Sequence, residues 1–162
     1  MNRNEFMRIL KNFNTNHIRT RRKNANRHGN RVNIVILPHK NSQVGAAFLR
    51  VTFNGNSVSL ESGETHPNFR RKGGYGTFIR ALATWAAIKS GAHNVRHIGI
   101  NRENLIAKAH PNNNNRPPPI STQIVRNKLG FRATNKTKSV FNKTMSLNKI
   151  ENALAKRPYV SR

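Results

Sequence analysis

Residues 57–89 run from a strand-like stretch through a glycine- and arginine-rich loop into a stretch with helical periodicity, and no other part of the chain restricts the fold as much. Residues 57–65 alternate as a strand. Residues 77–89 set Phe78, Ile79, Leu82, Trp85 and Ala86 on one helical face, and Ser90-Gly91 ends the helix. The turn between them reads Arg70-Arg71-Lys72-Gly73-Gly74-Tyr75-Gly76. Glycines allow close backbone approach and outward-pointing amides, and the following helix adds the positive end of its dipole, so the segment is built as an anion cradle. Arg70, Arg71 and Lys72 put cations at its rim. No Lys-Ser or Lys-Thr follows the last glycine, which excludes the phosphate loop of nucleotide hydrolases, and the dinucleotide pattern Gly-x-Gly-x-x-Gly is also missing. The pyrophosphate of another cofactor remains.

The flanking sequence implies a mixed α/β domain. Three strand-like runs, 32–37, 44–53 and 57–65, form an antiparallel meander, with Asn54-Gly55 as a two-residue hairpin signal. A further strand is expected at 95–100, a short helix at 121–128 capped by Ser121 and ended by Gly130, a last strand at 139–146 and a small basic helix at 147–154. Residues 109–120 hold Pro111, four asparagines and Pro117-Pro118-Pro119, and read as an exposed insertion. The expected division is 1–31, a short amphipathic helix (Phe6, Met7, Ile9, Leu10, Phe13) followed by a basic arm; 32–146, the folded domain; and 147–162, a basic tail.

Charge narrows the partners. The 162 residues carry 30 Lys and Arg against 5 Asp and Glu, a formal net charge of +25. Such an excess attracts polyanions, and nucleic acid is the obvious counter-charge. Arg19, Arg21, Arg22, Lys23, Arg27 and Arg31 concentrate it in a stretch that is too polar for a core, a phosphate-binding arm. An Arg-rich, acid-poor transit peptide is a competing reading of the first thirty residues. No apolar run reaches the length of a membrane span, and the start lacks a secretory signal, so an intracellular protein is expected, with virion-associated or mitochondrial placement as alternatives. With no cysteine and no aspartate, thiolate metal sites, cysteine nucleophiles, calcium loops and paired-carboxylate glycosidase chemistry are disfavoured, and no metal site is expected.

Arg71-Lys72-Gly73-Gly74-Tyr75-Gly76 resembles the cofactor loop of the GNAT superfamily of acyl-CoA-dependent N-acetyltransferases: Gln or Arg, two residues, Gly, one residue, Gly or Ala. The preceding 65–70 is similar to that family's strand end, Leu129-Gly130-Phe131 to its recurrent Leu-Gly-Phe, and Met145 to the methionine that often closes its final strand. The resemblance covers about residues 32–146. It implies a GNAT-like fold, a mixed, mostly antiparallel sheet splayed at the cofactor site and flanked by helices, with acetyl-CoA as cofactor. Pantetheine would lie between the strands that end near Thr65 and Ile100. The amides of Lys72, Gly73, Gly74, Tyr75 and Gly76 would hold the pyrophosphate, with Arg70, Arg71, Thr77 and Asn104 beside it, and an amide near Thr65 would meet the acetyl carbonyl.

Acetylation of an amine needs a base. Glu61 and Glu64 lie on the strand leading into the loop, where the family often carries its glutamate. Strand alternation puts them on opposite faces unless a bulge intervenes, so one is expected to face the site, and Glu61 is favoured. His66 is a reserve, and His97 is more plausibly structural. The tyrosine that usually protonates the leaving thiolate sits four residues before the glycine of Leu-Gly-Phe, and this chain has Arg126 there. Asn104 and Ala107 resemble the opening of the same helix, although residues 109–120 interrupt it. Two functions follow. One is an N-acetyltransferase acting on an amine presented by a nucleic-acid-associated or acidic acceptor. The other is a catalytically weak GNAT-like nucleic-acid-binding part of a ribosome, virion or phage particle.

Overall fold

A computed structural model describes residues 1–14, 16–22, 30–70, 73–99, 118–142 and 147–159. Helix α1 (Arg3–Phe13) starts at Asn2, whose side chain accepts from the Glu5 amide, and buries Phe6, Met7 and Leu10. Strands β1 (Ile18–Arg22), β2 (Arg31–Ile36), β3 (Ala47–Asn54) and β4 (Ser57–Thr65) form a meander. A 3-10 turn (Pro67–Phe69) and the glycine loop lead into α2 (Tyr75–Lys89), followed by β5 (Asn94–Ile98), α3 (Ile120–Lys128), β6 (Arg132–Ala133), β7 (Lys138–Asn142) and α4 (Asn148–Ala155).

These strands make one seven-stranded sheet in the order β1-β2-β3-β4-β5-β7-β6. Every pairing is antiparallel except β4 with β5, the pair that α2 connects. Alternation decides which face the helices cover. In β3, Ala47, Leu49, Val51 and Phe53 are buried while Phe48, Arg50 and Thr52 are only partly so. Phe53 meets Phe6 of α1 edge-on at 5.1 Å, and Leu49 lies under α2 near Arg80. On the same face, Ser139 of β7 takes a hydrogen bond from Arg126 of α3. α4 packs on α2, burying Ile150 and Leu154. Described helices therefore cover one face of the sheet.

The β4/β5 pairing ends at Leu60↔His97, whereas β4 continues to Thr65 with, among the described residues, only β3 beside it. The sheet thus opens between β4 and β5 just before the glycine loop, which is the splay expected from the sequence.

Four expectations need correction. Residues 18–22 of the supposed arm pair along β2 as an edge strand, because Ile18 reaches the core even though its neighbours are cationic. The hairpin turn is Gly55-Asn56, flanked by Asn54↔Ser57, since Gly55 takes the positive φ of 58°. α3 starts at Ile120, one residue early, and its cap position is held by Pro119 rather than Ser121. β3 starts at Ala47, with Val44 exposed in the preceding turn. The Ile100 strand end, Met145 and residues 109–117 of the insertion lie outside the described residues.

Candidate functional site

α2 opens on two residues that only glycine adopts readily, Gly73 at φ 79° and Gly74 at φ 74°. Gly74 is the N-cap and has no side chain to bond the first-turn amides, which have no carbonyl partners within the helix. That end of α2 faces a cavity of about 500 Å³ lined by Gly73, Gly74, Thr77 and Phe78 together with Lys128, Lys149, Asn152 and Lys156. Three lysines and a helix N-terminus converge there, and no lining residue is acidic. The arrangement is a receptor for a polyanion with an apolar neighbour.

The Tyr75 side chain belongs to the core, and only its backbone amide, the first of α2, stands at this helix end. Its ring is buried against Phe69, with centroids 5.5 Å apart, and burial pushes its hydroxyl above its ordinary pKa, which keeps it protonated. Arg70 is exposed at the loop's start, and its Nε donates to the Thr65 carbonyl at 3.1 Å, tying the end of β4 to the loop.

The end of β4 is irregular. Phe48↔Glu64 and Arg50↔Glu61 are cross-strand partners, so Leu49 opposes both Ser62 and Gly63, a β-bulge, and Ser62 takes φ 49°. The extra residue cancels the alternation. Glu61 and Glu64 both lie on the face away from the helices, the face of Arg50 and Phe48, and the expectation that only one would face a given side is overturned. Glu61 is half-buried and accepts from Thr52 Oγ1 at 3.3 Å. Glu64 is exposed and lines a second cavity of about 330 Å³ with Phe48, Thr65, His66 and Arg70.

Gly63 has a reason for being glycine: a Cβ there would come 2.4 Å from Arg80 Nη2. The Arg80 guanidinium is almost wholly buried, with Nε donating to His97 Nε2 at 3.1 Å and Nη1 to the Gly76 carbonyl at 2.9 Å. Burial lowers its pKa to about 10. Burial, then the charges of Arg80 and Arg126, lowers that of His97 to about 3. His97 is therefore neutral, and a wedge of Arg80 and His97 fills the place where β4 and β5 part. It rules His97 out as a proton carrier near neutral pH.

Among solved structures, RimJ of Mycobacterium smegmatis, in complex with CoA-disulfide, matches with a TM-score of 0.51 at 15% identity, over 83% of this chain and 65% of that one. The chain has the GNAT acetyltransferase fold. Nourseothricin acetyltransferase matches at 22% identity and a TM-score of 0.38, over 51% of this chain and 48% of that one. The spermidine/spermine N-acetyltransferase SpeG of Vibrio cholerae matches at 12% identity and 0.48, over 92% and 94%. The chain thus spans between about half and two thirds of the length of the first two. No family model and no curated protein sequence matches it.

In this GNAT fold two sets of the residues singled out in the sequence come together at cavities, and the others do not. Gly73, Gly74 and Thr77 come together at the large cavity, with Gly76 in the first turn of α2 behind them. Thr65, Arg70 and Glu64 come together at the smaller one, with Glu61 further back along β4. Arg71, Lys72 and Asn104 lie outside the described residues, as do Lys23 and Arg27. Arg19 and Arg21 are exposed on β1, Arg22 ends that strand, and Arg31 is half-buried on β2. Arg126 is tied down: Nε donates to Ser139 Oγ at 2.9 Å, and Nη2 to the carbonyls of Lys138 (3.1 Å) and Asn135. Sequence reasoning missed Arg80, Lys128, Lys149, Asn152 and Lys156. Lys149, Asn152 and Lys156 recur at three and four residues, the signal of one helical face.

No described helix is long and apolar enough to cross a membrane.

Proposed function

We propose that the protein is an N-acetyltransferase that takes its acetyl group from acetyl-CoA. The observation that carries this reading is the cavity at the N-terminus of α2, where uncapped first-turn amides, the left-handed pair Gly73-Gly74 and three lysines surround space for a polyanion. Gly74 fits the group, since nothing lies within 4 Å of where its Cβ would stand. Gly73, Gly74 and Thr77 would hold the pyrophosphate, and Lys128, Lys149 and Lys156 would neutralise the remaining phosphate charge. A CoA-bound structure of the same fold, RimJ of Mycobacterium smegmatis, supports the choice of ligand.

Bound acetyl-CoA would supply a thioester open to attack by an amine. The amine must first lose a proton, and a glutamate is the group available to receive it. Glu64 is the better placed of the two, because it lines a cavity beside Thr65 and the loop, whereas Glu61 is engaged by Thr52. An acceptor carried by nucleic acid or another acidic assembly suits the net charge of +25, which repels free polycations.

The second reading, a GNAT-like nucleic-acid-binding protein of weak or no catalysis, is favoured by Arg126. Arginine is not a general acid, and this one is held by Ser139, Lys138 and Asn135 in the place where the fold family's proton donor is expected. Calorimetric titration of acetyl-CoA into protein stripped of nucleic acid by high salt tests the first reading. Gly74→Asp should weaken binding at least tenfold, because it sets a carboxylate where the phosphates belong. Aspartate tolerates the left-handed region and caps helices well, so the fold should survive. Undiminished affinity in the variant would remove the cofactor assignment; tight binding without turnover on any acidic acceptor would favour the second reading.

A further inference from the structure

We infer that the uncovered face of the sheet is a docking surface for single-stranded nucleic acid. Among the described residues no helix lies on this face, and the side chains that project from it follow from the register. One row crosses six strands: Arg31↔Thr52, Thr52↔Ser59, Ser59↔Arg96, Arg96↔Val140 and Val140↔Arg132 are successive cross-strand partners. Three arginines, two hydroxyls and one valine thus stand in a line. The neighbouring row runs Arg21↔Asn33, Asn33↔Arg50 and Arg50↔Glu61, and Lys138 stands opposite Ile98 beyond the first row. Arg21, Arg96, Arg132 and Lys138 are all exposed. Charge complementarity therefore selects a polyanion.

The chemistry of the row selects nucleic acid. Arginines separated by serine and threonine can bind phosphates and donate to phosphate or sugar oxygens in alternation. On this side of the sheet, Arg31 Nε, Arg50 Nε and Asn33 Oδ1 are buried without a hydrogen-bond partner among the described residues, clustered on adjacent positions of β2 and β3. Geometry favours a single strand. Strands about 4.8 Å apart make the row about 24 Å long, and a twist of about 20° per strand turns it through roughly 100°. A flexible chain follows such a line, and a rigid duplex touches it only in passing. With Phe48 as the single described aromatic of this face, affinity rests on phosphate contacts rather than base stacking, and sequence preference should be weak.

Binding here also deepens the proposed acetyl transfer, on which this one point rests: Glu61 and Glu64 lie on the same face as the arginine rows. A strand on this surface would bring an attached amine to the carboxylates without passing round the sheet edge.

The test is fluorescence anisotropy of a labelled twelve-residue oligouridylate across a salt series, with the full chain and two triple variants of equal charge loss. Arg21→Gln, Arg96→Gln and Arg132→Gln together remove three exposed arginines from this surface. Lys11→Gln, Lys40→Gln and Lys89→Gln remove exposed cations elsewhere. The first variant should lose at least tenfold in affinity, and its logarithmic salt slope should fall by about 2 units, given about 0.7 per single-strand phosphate contact. The second should change the slope by less than a third as much. Equal losses in both variants would mean diffuse attraction to net charge and would overturn the inference, as would tighter binding of a twelve-base-pair duplex than of the single strand. Acetyl-CoA affinity is read in parallel by calorimetry and should be unchanged in both variants. Failure to bind acetyl-CoA at all would remove the acetyltransferase reading and leave the surface standing.

Discussion

Replacing Gly63 by alanine should destabilise the protein by about 2–4 kcal/mol although only one methyl group is added. Gly63 is not among the positive-φ glycines, so its backbone suits alanine, and the usual outcome of such a change would be a gain of about 0.5 kcal/mol through the unfolded state. Here the new Cβ would stand 2.4 Å from Arg80 Nη2, 3.0 Å from Cζ and 3.1 Å from Leu49 Cδ1. The guanidinium cannot swing aside cheaply, because Nε is bonded to His97 and Nη1 to the Gly76 carbonyl. Overpacking alone costs about 1–3 kcal/mol, and each hydrogen bond of a charged group that breaks adds about 1.5–3. At about 2–4 °C per kcal/mol for a chain of this size, the melting temperature should fall by roughly 5–15 °C. Urea and thermal unfolding followed by circular dichroism measure it. Combining Gly63→Ala with Arg80→Met, which leaves a neutral and shorter chain in the wedge, should make the alanine nearly silent, with about 2 kcal/mol of coupling in the double-mutant cycle. A neutral Gly63→Ala, or strict additivity in the cycle, would refute the argument that the bulge is shaped around Arg80.

His97 makes acid stability measurable. Its pKa in the folded chain is lowered from 6.5 to about 3, so the unfolded chain takes up a proton that the folded chain refuses; stability present above pH 6.5 should be lost at about 1.4 kcal/mol per unit as pH falls toward 3, and His97→Gln should flatten this slope in urea melts. If acetyl transfer is found, Glu64→Gln should lower kcat at least tenfold with little effect on acetyl-CoA affinity, and Glu61→Gln should act more weakly; the reverse order would place the acceptor beside Thr52 instead of beside the loop.

Where the local pattern and the tertiary structure agree, the sequence was a sufficient guide. The alternation of β3 and of the first half of β4, the apolar face of α2 and the left-handed glycines that begin it each follow from side chains a few residues apart. So did the parting of β4 and β5, through the family resemblance. Other features depend on partners distant in sequence. Ile18 and its cationic neighbours form a strand only because β2 offers an edge, and a composition that looks too polar for a core still supplies one buried residue. The bulge at Ser62 and Gly63 answers to an arginine seventeen residues later, which no spacing rule reads. Lys128 and Lys149 reach the N-terminus of α2 from two other helices. The stripe of Lys149 and Asn152 on α4, continued by Lys156 at its C-terminal cap, was legible from its spacing, but what it faced was not.

The central claim is that the cavity between the start of α2 and the lysines of α3 and α4 holds the phosphates of coenzyme A. Amine-directed labelling of the intact protein, read by mass spectrometry with and without saturating coenzyme A, tests it residue by residue. Lys128, Lys149 and Lys156 line the cavity, and Lys11, Lys40 and Lys89 are exposed elsewhere. The account predicts protection confined to the first three, lost in Gly74→Asp. Protection spread evenly over all six lysines, or absent from Lys128, Lys149 and Lys156, would contradict it.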